Sequence, residues 1–142
     1  MKVMATVACL AMSLPSIALA QWSHFGTVLR DNDVYLDHKR FERLEQPTLW
    51  VLFDSKDPDE DGSRSVTQHY QADCKSNQVR TLEFEYFEGH MGKGRLIRRS
   101  SKAGNWETPV SMSILENLLD FMCDRYINRK IAIGLVSKYV LA

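Results

Sequence analysis

The chain has 142 residues, with 18 lysines and arginines balanced by 18 aspartates and glutamates. This length fits one domain and is too short for two ordinary ones. The balanced charge argues against a dedicated nucleic-acid-binding protein, which normally carries a basic surplus. Apolar residues make up 44% and charged residues 25% of the chain, which argues against disorder and fibrous repeats.

Residues 1–20 have the three parts of a secretory signal peptide. Lys2 supplies a positive start, Val3 to Leu14 is an apolar run, and Ala18-Leu19-Ala20 is an A-x-A cleavage signature. The apolar run is too short to span a bilayer as a retained helix. We expect a mature chain of residues 21–142, exported as one domain without a transmembrane segment. An uncleaved anchor or a buried N-terminal helix is the alternative.

The first strand candidates follow the leader. Thr48 to Asp54 is a dense apolar run that fits a central strand, whereas Trp22 to Leu29 and Val34 to Leu36 are weaker candidates. Trp22 and Trp50 are interpreted as core anchors, because large aromatic side chains dominate the core of a chain this small.

An acidic loop comes next. Asp57, Asp59 and Asp61, followed by Gly62, match D-x-D-x-D-G, the opening of a calcium-binding loop. A complete loop would end in a bidentate glutamate, but that position holds Gln68, a neutral amide. We therefore favour a solvated loop, and we expect no metal ion.

Two runs with period-two alternation predict a long hairpin. Ser65 to Cys74 places Val66, Tyr70 and Ala72 on one parity, and Val79 to Phe87 alternates apolar side chains with Glu83 and Glu85. This pattern is typical of half-buried strands with one wet face. Lys75 to Gln78 is the polar turn between them.

Isolated aspartates and histidines carry no chemical signature. Asp37 and Asp73 are interpreted as residues whose side chains bond nearby turn backbone. The four histidines are scattered and lack a metal-ligand spacing.

A basic segment follows the hairpin, and it is the first candidate for partner binding. Arg95 to Ser100 is a further strand candidate, on which regular alternation would place Arg95 and Arg99 on one face and Arg98 on the other. Such a patch could hold an acidic protein or a sulfated glycan through salt-sensitive attraction. The alternative is a charged strand that protects a sheet edge. The candidate contact residues are Lys93, Arg95, Arg98, Arg99, Lys102 and, near a turn, Trp106.

One segment has helical periodicity. Apolar residues from Ile114 to Tyr126 recur at spacings of three and four, which predicts an amphipathic helix from Ser113 to about Asn128. Ser113 and Glu116 form a capping box at its start. The tail from Ile131 to Leu141 is apolar but too short for a membrane span, and is interpreted as a last strand or a segment packing on the core.

Two cysteines remain once the leader, which contains Cys9, is removed. In an oxidising compartment Cys74 and Cys123 most simply form one disulfide, worth roughly 3–5 kcal/mol, with two free thiols as the alternative. Cys123 lies on the apolar stripe of the helix and Cys74 on a strand, so the bond would pin the helix to one face of the sheet. The sequence therefore predicts an α+β fold: an antiparallel sheet of five or six strands with a C-terminal helix packed on one face.

Short motifs occur in a fixed order along the chain. They are V-Y-L-D (Val34 to Asp37), L-W-V-L-F-D (Leu49 to Asp54), Y-Q-A-D-C (Tyr70 to Cys74), V-R-T-L (Val79 to Leu82), G-x-G (Gly92 and Gly94), N-W-E-T-P (Asn105 to Pro109) and M-C (Met122 and Cys123). In this order they resemble the surface-adhesin protein E family of Gram-negative bacteria over Trp22 to Cys123. The resemblance implies exported proteins with an antiparallel sheet and a disulfide-tied helix, some of which bind host matrix or plasma glycoproteins at the cell surface.

The resemblance also implies the function. We expect an exported, non-catalytic binding protein with a protein or glycan partner and no cofactor. An enzyme is disfavoured because no serine lies in a G-x-S-x-G elbow and the paired cysteines are poor nucleophiles. The chain lacks a lipoprotein signal and extends beyond Cys123 through residues 124–142. A periplasmic structural or envelope-stress protein of the same fold, without a host ligand, is the alternative to a secreted or surface protein.

Overall fold

The computed structural model describes residues 22–28 and 32–125. These residues form six antiparallel strands in one sheet, two 3-10 helices and one α-helix, which confirms the predicted α+β fold. Each strand pairs with its successor in the chain, so the strand order across the sheet is β1 to β6. The strands are β1 (Trp22–Val28), β2 (Asn32–Asp37), β3 (Thr48–Asp54), β4 (Ser65–Asp73), β5 (Gln78–Phe87) and β6 (Leu96–Ser100); the 3-10 helices are His38–Arg40 and His90–Gly92, and α1 is Ile114–Met122.

The strand predictions hold where the structure describes them. β3 has the predicted bounds, and β4 and β5 form the expected hairpin around the turn at residues 74–77. The proposed leader, residues 1–20, lies outside the described residues, as does the apolar tail from Ile131 to Leu141. None of the helices in residues 22–28 and 32–125 has the length and apolar character needed to cross a bilayer.

The core lies between α1 and one face of the sheet. Leu118, Leu119 and Met122 are buried on the helix side. Each side chain of this size contributes about 1.5–3 kcal/mol when it is removed from water. The sheet side of the same cluster consists of Val34, Leu36, Leu49, Val51, Tyr70, Ala72 and Val79.

A disulfide ties the helix to the sheet, as predicted. Cys74 directly follows β4 and Cys123 directly follows α1, and their Cα atoms are 5.6 Å apart. The two cysteines are separated by 49 positions in sequence. The bond therefore fixes the C-terminal end of α1 over the β4–β5 hairpin.

The helix is shorter than predicted, because α1 ends at Met122 rather than near Asn128. Asp124 adopts a left-handed conformation with a φ of 57°. Its N–H donates to the carbonyl of Phe121 at 3.2 Å, and the Arg125 N–H donates to the carbonyl of Asp120 at 2.7 Å. This is the Schellman arrangement, in which the reversed residue ends the helix and is usually glycine. The missing glycine is why the pattern suggested a longer helix.

The start of α1 confirms the predicted cap with one difference. The Ser113 hydroxyl accepts from the Glu116 N–H at 3.1 Å, as in a capping box. The Glu116 carboxylate, however, accepts from the Met112 N–H at 2.6 Å instead of returning to Ser113. The Ser113 N–H donates to the carbonyl of Val110 instead.

A glycine-rich loop covers part of the sheet face opposite α1. The Ser65 hydroxyl donates to the Gly89 carbonyl at 2.6 Å and accepts from the Gly92 N–H at 2.9 Å. Asp54 accepts from the Met91 N–H at 2.7 Å. Gly92 has a φ of 68°, which favours glycine, and a Cβ at this position would lie 3.4 Å from the Thr67 Cγ2 and 3.8 Å from the Leu52 Cδ1. We call the part of this sheet face that the loop leaves uncovered the open face.

Candidate functional site

All three tryptophans of the chain lie on the open face or at its edge, and none belongs to the buried core. Trp50 alternates along β3 with Leu49 and Val51, whose side chains are buried under α1, so its own side chain points the other way. Trp22, Trp50 and Trp106 are each only partly buried. The prediction that Trp22 and Trp50 anchor the core is therefore wrong: strand alternation places them on the opposite face.

An arginine lies beside two of these indoles. The Arg40 guanidinium carbon is 4.6 Å from the ring centre of Trp50 and 5.7 Å from that of Trp22. Its Nε donates to Asp37 at 2.6 Å. Asp37 is fully buried and also accepts from the Lys39 and Arg40 backbone N–H groups. Asp37 thus has the predicted turn-capping role, and it also orients Arg40 against the indoles.

The other side of Trp50 meets a histidine on the neighbouring strand. The His69 ring lies parallel to the indole, and its Nδ1 is 3.3 Å from a Glu83 oxygen. Burial lowers the pKa of His69, because an imidazolium is costly to desolvate, and the hydrogen bond to Glu83 only partly opposes this effect. A neutral ring is therefore favoured near neutral pH.

A second guanidinium–indole pair lies further along the sheet. The Arg80 guanidinium carbon is 4.4 Å from the ring centre of Trp106, and its Nε donates to the Gln71 amide oxygen at 2.9 Å. Two backbone hydrogen bonds of 2.9 Å between Val79 and Glu107 hold the Trp106 segment beside β5. This places Trp106, the contact residue suggested by the sequence, at the edge of the open face.

Together these residues form a surface that we call the tryptophan face. It is rich in the side chains that dominate binding at protein interfaces, tryptophan and arginine, and it holds them in fixed orientations. Asp37 balances the charge of Arg40, so the surface is not a strongly charged patch. The tryptophan face comprises Trp22, Arg40, Trp50, His69, Arg80 and Trp106.

The basic segment lies at the opposite edge of the sheet from β1. Arg95 is 3.3 Å from a Glu88 oxygen, and Arg98 is 3.3 Å from an Asp61 oxygen while lying over the Tyr86 ring. Both cations are thus already paired. Within the described part of the chain, the remaining three cations form no ion pair: these are Lys93, Arg99 and Lys102.

The expected alternation in this segment is wrong at one point. Arg98 lies opposite Tyr86, but the next pair is Leu96 with Phe87, so Ile97 is an extra residue in β6. The resulting bulge shifts the alternation by one position. Arg95, which also precedes the strand, therefore does not share a face with Arg99.

The acidic loop is closed by its own hydrogen bonds. Asp61 accepts from the N–H and the hydroxyl of Ser63, and these bonds, the hydroxyl first, lower the pKa of its carboxyl. Asp59 accepts from the Gly62 N–H through its carbonyl, while Asp57 is exposed. Among residues 22–28 and 32–125, no three His, Cys, Asp or Glu side chains are arranged to hold a metal ion.

Comparison with known proteins identifies the family. The sequence profile of surface-adhesin protein E matches residues 22–124. The chain belongs to the surface-adhesin protein E family. This confirms the resemblance seen in the sequence motifs, and the family is that of an adhesin-like surface protein. A comparison with curated proteins finds no match.

Solved structures of Haemophilus influenzae protein E show the same fold. Crystal form II of Haemophilus influenzae protein E is 15% identical in sequence, with a TM-score of 0.56, and the match covers 72% of this chain and 88% of that one. A second structure of Haemophilus influenzae protein E gives a TM-score of 0.53 at the same identity, covering 72% and 85%. The match to surface-adhesin protein E ends one residue after Cys123, and thus spans the sheet and α1.

Several residues of the tryptophan face in this surface-adhesin protein E domain were not singled out by sequence reasoning. Arg40, His69 and Arg80 carry no motif, and only the fold brings them beside the indoles. The sequence did contain one signal for Trp50. Leu49 and Val51 on either side are the better core candidates, so strand alternation places Trp50 on the opposite face.

Proposed function

We propose that this chain is an exported, non-catalytic binding protein that holds a host protein or glycan through the tryptophan face. The observation that supports this proposal is the position of all three tryptophans outside the core of the described residues, two of them on the open face and Trp106 at its edge. Partly exposed indoles retain apolar area that a partner can bury.

The rigidity of the surface also favours binding. Arg40 is fixed by the buried Asp37, and Trp50 is held between Arg40 and His69. Side chains that are already ordered lose little conformational entropy when a partner docks. An anchoring tryptophan at the centre of an interface contributes about 2 kcal/mol, or about thirtyfold in affinity.

The test is binding of the chain from Gln21 to immobilised matrix and plasma glycoproteins. Trp106→Ala and Trp22→Ala should each weaken binding by at least about tenfold while leaving the circular dichroism spectrum unchanged. Leu44→Ala and Met112→Ala are matched controls, because these apolar side chains are exposed outside the tryptophan face. If the tryptophan variants bind as tightly as the controls, the tryptophan face is not the site.

A second candidate surface is the basic segment, which the three unpaired cations favour. It would hold an acidic protein or a sulfated glycan, with affinity that falls as salt rises. Arg99→Ala combined with Lys102→Ala should abolish most of that salt-dependent binding. Arg43→Ala with Lys75→Ala is the control, since it removes the same charges from residues that are paired with Asp124 and Glu45.

The location of the protein separates the adhesin from the periplasmic alternative. Digestion by protease added to intact cells supports a surface-exposed binding protein. Release by osmotic shock, with resistance to external protease, supports a periplasmic protein of the same fold without a host ligand.

A further inference from the structure

The two edges of the sheet differ in how they are protected against pairing. Both edge strands contain a bulge, at Phe25 in β1 and at Ile97 in β6, but β6 also carries two exposed arginines, Arg98 and Arg99, which discourage another strand from adding. β1, at the other edge, has the sequence WSHFGTV, with no lysine, arginine or proline. In the part of the chain that the structure describes, no strand lies beyond β1.

An apolar groove runs beside the end of β1. It has a volume of about 530 Å³, and its two walls come from β1 and from the start of α1. Two large apolar side chains close by are strongly exposed: Met112 is 91% and Val110 is 77% accessible. The residues that line the groove are Thr27, Val28, Met112, Ser113, Ile114 and Asn117.

The last turn of α1 reaches β1 through one side chain. Phe121, in the last turn of α1, packs against Phe25 of β1 with ring centres 5.9 Å apart. Arg125 follows, but its Nη1 donates to the Asn77 amide oxygen in the β4–β5 turn, three to four strands away from β1. Residues 126–130 can span roughly 17 Å when extended, at about 3.3–3.6 Å per residue. Since neighbouring strands lie about 4.8 Å apart, the free edge of β1 is roughly 14–19 Å from the β4–β5 turn, and residue 131 can reach it only if these residues are nearly extended.

The segment that follows has the composition of a strand. Residues 131–141 include a single charged residue, Lys138, and no proline. The larger apolar side chains fall mainly on one parity, as period-two alternation requires for a strand with one buried face. These side chains are Ile131, Ile133, Leu135, Tyr139 and Leu141.

We propose that residues 131–141 pair with the free edge of β1 as a further strand and cover the groove between β1 and α1 with their apolar side chains. Pairing satisfies the outward N–H and carbonyl groups of β1, which are costly to leave unpaired beneath an apolar cover. It also protects an edge that lacks charged residues from pairing with another molecule.

Amide hydrogen exchange and solution mass test this proposal. In the chain from Gln21 to Ala142 we expect a monomer whose peptide over residues 22–28 exchanges slowly. Ending the chain at Lys130 should speed exchange there by at least about tenfold and leave β3 unchanged. Equal exchange at residues 22–28 in both chains would overturn the proposal. A dimer whose β1 protection disappears on dilution would also overturn it, in favour of a second copy on this edge.

A full-length variant covers the case in which the shortened chain does not fold. Ile133→Asn with Leu135→Asn should produce the same faster exchange at residues 22–28. Val136→Asn with Val140→Asn, on the other parity, is the matched control and should change that exchange much less. Unchanged exchange in the Ile133 and Leu135 variant would contradict docking of this segment.

Discussion

The indole of Trp50 and the imidazole of His69 lie parallel on adjacent strands, with ring centres 4.6 Å apart and planes 5° apart. Burial lowers the pKa of His69 from its ordinary value, and the hydrogen bond to Glu83 only partly opposes this effect. We expect the His69 ring resonances to titrate below about pH 6.5 in an NMR pH series. Glu83→Gln should lower the midpoint further, because it removes the partner that favours the charged ring.

The same shift makes stability depend on pH. Since the pKa of His69 is lower in the folded chain, the unfolded chain binds the extra proton first as pH falls below about 6.5. The free energy of unfolding should therefore decrease below that pH, and this part of the decrease should be absent in His69→Gln. Urea unfolding at about pH 7.5 and about pH 5.5 measures the difference between the two proteins. A parallel loss in both would contradict this assignment.

Asp37 should be among the most sensitive polar positions. It is fully buried and accepts hydrogen bonds from two backbone N–H groups and from Arg40. Asp37→Ala should cost about 2–3 kcal/mol of unfolding free energy, because these donors lose their acceptor inside the protein. Asp73→Ala is the control: it removes a similar but exposed cap on Lys75 and Ser76, and should lower the free energy of unfolding clearly less than Asp37→Ala. Equal losses would contradict the role of burial.

Reduction of the Cys74–Cys123 bond should lower stability by roughly 3–5 kcal/mol, because the unfolded chain regains the freedom of the closed loop. The measurement is urea unfolding with and without reductant. In the Cys74→Ser and Cys123→Ser double variant, reductant should have no effect. A native protein with two titratable thiols would remove the covalent tie between sheet and helix.

Replacing Asp124 by glycine should stabilise the protein slightly. The residue has a φ of 57°, where glycine is unstrained, and its ion pair with Arg43 is exposed and therefore weak. We expect a gain of up to about 1 kcal/mol in thermal or urea unfolding. Arg43→Ala should be close to neutral. A clear loss of stability in Asp124→Gly would contradict this prediction, because it would show that the ion pair with Arg43 outweighs the backbone strain.

Much of the fold was predictable because simple periodicities determine it. Thr48 to Asp54 has the high apolar content of a central strand, and the apolar residues that begin at Ile114 recur at helical spacing. Both elements therefore lie where they are expected. The disulfide followed from export and a lone cysteine pair. These features depend on local pattern and covalent chemistry, which a single sequence contains.

The errors arise where the backbone departs from regular geometry. Leu82 is an extra residue in β5, opposite His69 and Tyr70, and Ile97 is an extra residue in β6. Each forms a bulge that no residue type in the sequence marks. Asp124 reverses the chain where glycine is usual. The tryptophan face was missed for another reason: Arg40, His69 and Arg80 come from separate elements, and only the register of the sheet brings them beside the indoles.

The grouping of every indole on or beside one side of the sheet has a practical consequence. Tryptophan fluorescence of this protein arises from that side and its edge, while the apolar interior beneath α1 contributes no indole emission. A change in emission maximum or in quenching by iodide thus reports directly on what touches the surface. The chain contains its own optical probe for occupancy there, without any added label.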